Sequence, residues 1–183
     1  MLAYVFWHVP APGVADYEAR LAAFHHELRE AAPAWLGPTA TFGLDSVPWL
    51  DGPAGYEDWY LVEDFGALGS LNEAAVSGPR KPLHDAAAAA ARSGAGGVMG
   101  HVAGAQLPAA TGWGAWLAKP AGAGYPAFHA ELAAALPPGA GAWRRQMVLG
   151  PSTEYCVLAP GAMQLPWPTA HAWPLRPVVA PNR

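Results

Sequence analysis

The sequence predicts an α+β fold in which one βαββαβ unit occurs twice in a single compact body, over residues 1–107 and again, shortened, over 108–183. Three observations predict it. An apolar strand runs through a Pro/Gly turn into a Tyr-led helix twice, at Trp7–Tyr17 and at Leu117–Tyr125. A strand of acid, aromatic and apolar residues also recurs, as Asp58-Trp59-Tyr60-Leu61-Val62 and Glu154-Tyr155-Cys156-Val157-Leu158. Each of these is followed by Gly-Ala-aliphatic, at Gly66-Ala67-Leu68 and Gly161-Ala162-Met163. A series of matches in fixed order is the mark of an internal repeat.

The elements follow in order. Leu2 to Val9 reads as a first strand that ends at Pro10. In the helix after it, Tyr17, Leu21, Phe24 and Leu28 recur at the helical period and make one apolar stripe. The second copy repeats the stripe with Tyr125, Phe128, Leu132 and Leu136, and Pro137-Pro138-Gly139 stops it. Each helix precedes a strand pair: Thr41–Trp49 and Tyr56–Val62 around Asp51-Gly52-Pro53, then Trp143–Leu149 and Glu154–Leu158 around Gly150-Pro151-Ser152. Ser70-Leu71-Asn72-Glu73 has capping-box spacing and predicts the start of a further helix. An Ala-rich helix over Leu83–Arg92, a Gly-rich turn from Gly94 and a strand over Val98–Ala103 complete the first copy. In the second, the equivalent helix shrinks to Pro168–Ala172 before a proline-interrupted strand over Leu175–Ala180.

Strand, helix, strand, strand, helix, strand is the ferredoxin-like motif, whose helices cover one sheet face and leave the other bare. Two copies packed sheet to sheet would cover both bare faces. On this order the chain resembles the dimeric α/β-barrel superfamily in its tandem-repeat form, an intrachain pseudo-dimer. Its relatives include antibiotic-biosynthesis monooxygenases, EthD-like and stress-responsive barrel proteins, and haem proteins of the chlorite-dismutase type. The resemblance implies a ligand held inside the barrel. It rests on element order across the chain and on no active-site motif of any branch.

Composition narrows the partners. The chain has 183 residues, 52% of them hydrophobic and 13% charged, enough for a core that needs no disulfide staples. A net charge of -4 with scattered cations leaves no basic stripe, so nucleic acid is not expected as a partner. Nothing reads as a signal peptide or a membrane span, so the expectation is a cytoplasmic protein, monomeric or homodimeric, with no membrane contact. The single cysteine, Cys156, excludes an intrachain disulfide and reads as a small core residue.

The candidate chemistry is histidine chemistry. Tyr4, Phe6 and His8 share one face of the first strand, and Met99 and His101 one face of the fourth. Adjacent antiparallel strands in matching register would bring His8 and His101 together inside the barrel as base, donor or ligand. These two are the expected catalytic residues. Phe6, Trp59, Tyr60, His84 and Trp116 are the expected ligand-binding residues, as rings able to stack on a flat compound. Glu63, Asp58 or Tyr60 would be the groups to complete a metal site, but no metal-binding spacing is present and neither a metal nor another cofactor is expected. His25-His26-Glu27 reads as solvated helix surface, and His84-Asp85 as a helix-start pair. No serine-nucleophile elbow, Walker loop or dinucleotide fingerprint occurs. The reading is a small-molecule-binding barrel, a cofactor-independent monooxygenase or isomerase acting on an aromatic or polyketide-like compound. The alternative is a non-enzymatic carrier or interaction module with a packed barrel.

Overall fold

The computed structural model describes residues 1–30, 33–45, 47–50, 54–147 and 150–182. The expected turn at Asp51-Gly52-Pro53 and the strand end at Leu149 lie outside them. Among these residues eight strands and four helices follow in the order β1 (Leu2–Pro10), α1 (Tyr17–Glu30), β2 (Leu36–Asp45), β3 (Ala54–Val62), α2 (Phe65–Ala75), α3 (Arg80–Ala89), β4 (Ala91–Gly104), β5 (Trp113–Leu117), α4 (Tyr125–Ala135), β6 (Gly141–Gln146), β7 (Tyr155–Ala159) and β8 (His171–Val179).

The expected architecture, two ferredoxin-like βαββαβ repeats packed sheet to sheet as a pseudo-dimeric α/β barrel, is corrected. The strands form one closed antiparallel barrel in the order β1-β3-β2-β8-β5-β7-β6-β4. Backbone hydrogen bonding is continuous around it, because β2 pairs with β8 (Leu44 opposite Leu175) and β4 with β6 (Gly100 opposite Arg144). Closure satisfies the strand edges that two stacked sheets would leave open. Nor do the described residues make two complete units, since among them three helices precede β4 and only α4 follows it. Residues 168–172, read as a remnant helix, contain no helix, and β8 already begins at His171.

Alternation along each strand sorts the side chains. Ala3, Val5 and Trp7 of β1, Phe42 of β2, Trp59 and Leu61 of β3, Met99 of β4, Trp116 of β5, Trp143 of β6 and Cys156 of β7 meet in the interior. An eight-stranded barrel is just wide enough to be filled by side chains, and here indoles fill it. Trp7 meets Trp116 edge to face at 5.4 Å, and Trp59 lies 5.7 Å from Trp143. Truncating one of these rings to Ala would cost about 3–5 kcal/mol.

The opposite strand faces carry the helices. Tyr17, Leu21, Phe24 and Leu28 of α1 are all buried, as the stripe predicts. Helix α2 starts at Phe65, earlier than expected: Asp64, rather than Ser70, caps it by accepting from the Ala67 amide at 2.9 Å. The Gly-rich stretch after α3, expected to be a turn, is strand β4. Its glycines are needed there. A Cβ on Gly94 would stand 2.4 Å from Phe6 Cζ, and one on Gly96 would stand 2.5 Å from the Tyr4 hydroxyl oxygen. Bare backbone lets both rings lean across β4 beneath the helices. Among the described residues no helix is long and apolar enough to cross a membrane.

Candidate functional site

A cavity of about 690 Å³ lies between helices α1–α3 and the outer faces of β1, β3 and β4. That falls within the range of about 300–1,000 Å³ that small-molecule sites occupy. Its walls are aromatic and aliphatic, with Tyr4, Phe6, Phe24 and Leu71 prominent, and among its polar groups His8, Tyr17 and Tyr60 gather around Asp58. The rings of β1 form a near-parallel ladder. Tyr4 and Phe6 are 6.3 Å apart at 16°, and Phe6 and His8 5.3 Å apart at 19°.

Asp58 is the centre of the polar cluster. It is 3% exposed, and it accepts from Thr41 Oγ1 at 2.7 Å and from the Tyr60 hydroxyl at 3.1 Å. His8 Nε2 lies 3.2 Å from Oδ2, and His25 Nε2 lies 3.7 Å from Oδ1. The His8 contact is close without being an aligned hydrogen bond, so Nε2 is buried with no directed partner. On the other side of its ring, His8 Nδ1 is 2.6 Å from the Tyr17 hydroxyl, and both residues line the cavity. A carboxylate on the Nε2 side keeps the neutral ring's proton there, so Nδ1 accepts from Tyr17. Tyr56 backs the pair, stacked on His8 at 5.6 Å and donating to Glu18 at 2.9 Å.

Burial and charge act in opposite directions on these groups. Burial alone would raise the Asp58 carboxyl, but the His8 imidazole and the hydrogen bonding toward His25 and His8 hold it well below the usual carboxylate range. Tyr17 and Tyr60 are pushed above the usual phenol range, first by burial and then by the charge of Asp58. Both phenols are therefore protonated donors at neutral pH. The adjacent carboxyl, Glu57, points through the wall into the barrel, where Trp59 Nε1 donates to it at 2.9 Å and Trp7 Nε1 at 3.2 Å. Burial raises Glu57 to about 7 against the two indole donors, which pull it down.

The structure separates the residues that the sequence singled out. His8, Phe6, Tyr60 and His84 line the one cavity. Trp59 and Trp116 belong to the barrel interior and do not reach it. The expected meeting of His8 and His101 is corrected as well. His8 pairs with Gly94, whereas the His101 amide bonds the Met1 carbonyl at the far end of the strand pair. His101 stands 5.1 Å from Trp143, and burial lowers its pKa. His84 Nδ1 is 3.1 Å from Asp85 Oδ1, and Asp85 also holds Lys81, so the pair lies inside α3 rather than at its start. His25 is buried rather than solvated, and only His26 is exposed.

Sequence pattern does not mark Tyr17 or His25 for chemistry, and it marks Asp58 only as a conditional metal ligand. A signal for His25 was present. It follows Leu21 by four residues and precedes Leu28 by three, which places it on the flank of the buried stripe. Asp58 alternates with Glu57 and Trp59, and the sequence does not say which face turns inward. Among the described residues no group of three or more His, Cys, Asp and Glu is arranged to hold a metal ion. Fold and site together define a closed β-barrel with helices on its outside and a buried Tyr-His-Asp network beside a ring-sized cavity. No family model matches the chain, and no curated protein or solved structure does either.

Proposed function

We propose that the cavity binds an apolar, ring-bearing small molecule and that Tyr17 and His8 transfer protons to and from it, in an isomerase-type reaction. The observation that carries this reading is the Tyr17–His8–Asp58 line at the cavity floor, with its 2.6 Å and 3.2 Å contacts. With His8 neutral, the Tyr17 O–H donates to Nδ1 and the phenol oxygen presents a lone pair to the cavity; as that oxygen takes a proton from the ligand, its own passes to Nδ1. With His8 protonated, Nδ1–H donates to the Tyr17 oxygen, and the phenol O–H is freed to donate to a ligand oxygen. The same two residues thus serve as acceptor and donor in turn, and Asp58 stabilises the imidazolium in between. The apolar walls weaken competition from water for these hydrogen bonds.

A ligand carrier is the second reading, favoured by how fully Thr41, Tyr60, His25 and Asp58 satisfy one another. One pair of measurements separates the two. An anilinonaphthalene sulfonate dye titrated against the protein reports the cavity, and NMR in D₂O with bicyclic aromatic ketones reports α-proton exchange. Dye binding with exchange that is lost in His8→Gln supports the enzyme. Displaceable dye without exchange supports the carrier, and no dye binding overturns the site.

A further inference from the structure

Beyond the cavity, a second line of side chains reaches Asp58 from the opposite direction. Helix α1 delivers His25 and Arg29 to β2, where Thr39 and Thr41 point outward on the same face. Arg29 Nε donates to Thr39 Oγ1 at 2.9 Å, and its Nη2 donates to the Thr39 carbonyl at 2.5 Å and the Ala180 carbonyl at 2.8 Å. Thr39 Oγ1 is 2.9 Å from His25 Nδ1, and His25 Nε2 is 3.0 Å from Thr41 Oγ1. Thr41 then donates to Asp58 Oδ1 at 2.7 Å.

Proton counting orients every link. A threonine hydroxyl has one hydrogen, and Thr41 spends it on Asp58, so His25 Nε2 must be the donor toward Thr41. Neutral His25 then has a bare Nδ1, which accepts the Thr39 hydroxyl proton, while the Thr39 oxygen accepts from Arg29. Each group donates toward Asp58 and accepts from the side of Arg29. The opposite orientation, with Nδ1–H donating to Thr39, would leave the Thr39 hydroxyl proton without an acceptor among the described residues. Tyr60 fixes the ring plane, stacked on His25 at 4.9 Å and 15°.

We propose that Arg29–Thr39–His25–Thr41 is a one-way hydrogen-bond relay, and that it makes His25 a positioning residue for the His8–Tyr17 pair. The relay occupies Oδ1 of Asp58 and draws its charge toward the guanidinium, so that Oδ2, which also accepts from Tyr60, sets the Nε2–H tautomer of His8. His25 touches no part of the cavity itself and acts through the carboxylate. The role deepens the proton-transfer reading, but its test does not depend on turnover.

The test is long-range ¹⁵N–¹H correlation spectroscopy of histidine-labelled protein near neutral pH. The wild type should show His25 with a protonated Nε2 and a bare Nδ1. Thr39→Val removes the donor to Nδ1 and should lose the fixed tautomer, and Thr39→Ser should restore it. Thr41→Val should shift the ring nitrogens of His8, which Thr41 does not touch. An Nδ1–H tautomer in the wild type overturns the relay even if both valine variants fail to fold. So do unmoved His8 signals in folded valine variants with unchanged near-ultraviolet circular dichroism. Dye binding to the cavity plays no part in this experiment, so a failed relay is distinguishable from a failed site.

Discussion

The Tyr17 hydroxyl lies 2.6 Å from Nδ1 of His8, on the side of the imidazole away from Asp58. Removing that hydroxyl tests its chemistry with little change in shape. Tyr17→Phe should keep dye affinity within a few-fold and lower proton exchange by about 10²- to 10⁴-fold, the range of a positioned acid or base. Stopped-flow dye titration and NMR exchange rates check the two halves of that statement.

His8 and His101 should behave oppositely. His8→Gln removes the cavity's base and should abolish exchange, while His101→Gln, at the far end of the strand pair, should leave exchange and dye binding unchanged. Loss of exchange in both variants would contradict the placement of the site on the outer face.

Asp58→Asn should cost about 3–5 kcal/mol in denaturant unfolding, as expected when one partner of a buried charged cluster is removed. The acid dependence carries a sign. The folded-state pKa of Asp58 lies below its unfolded value, so its stabilisation is complete above the ordinary carboxylate pKa and drains away as pH falls below about 4. The wild type should show that acid loss, and the asparagine variant should show less of it.

Glu57 predicts the reverse slope. Its folded pKa, raised from 4.5 to about 7, means that the native state holds this proton more tightly than the unfolded chain does. Stability should therefore fall between those two pH values, by up to about 3 kcal/mol, and level off above them. Glu57→Gln should flatten that segment of a plot of melting temperature against pH, and an unchanged slope would assign it to other groups.

Gly94→Ala should close part of the cavity. Its Cβ would stand 2.4 Å from Phe6 Cζ, so the ring must swing toward the space the ligand needs. We expect about 1–3 kcal/mol of destabilisation and a matching loss of dye binding. Retained affinity would show that the ligand does not use the ladder of rings on β1.

Periodicity made the helical stripe of α1 legible and that of α4 at Phe128 and Leu132, although Tyr125 is exposed and Leu136 lies beyond the helix, and alternation made the shared face of Tyr4, Phe6 and His8 legible. Alternation is blind to which face turns inward. Trp59 and Trp116 were therefore grouped with Tyr60 and Phe6, though a barrel wall divides them. The Gly-rich start of β4 read as a turn because its reason for being extended lies in the rings of Tyr4 and Phe6, far away in sequence. Closure was hidden for a similar cause, since the β2–β8 and β4–β6 seams join segments that carry no mutual signature. The cluster at Asp58 draws on α1, β1, β2 and β3, and no local pattern announces such convergence.

Glu57 and Asp58 share a peptide bond yet live in different solvents. One carboxyl hangs among indoles inside the barrel and carries its proton toward neutral pH, while the other faces imidazoles and hydroxyls outside and gives its proton up. A single strand thus works as a partition between two dielectric compartments. Moving the register of β3 by one residue would exchange the two acids, and each would take the protonation that its new surroundings impose, the shorter side chain among the tryptophans and the longer one beside His8. The pairing of β3 with its neighbours therefore fixes which carboxyl, and at what reach, stands beside His8 as well as the shape of the fold.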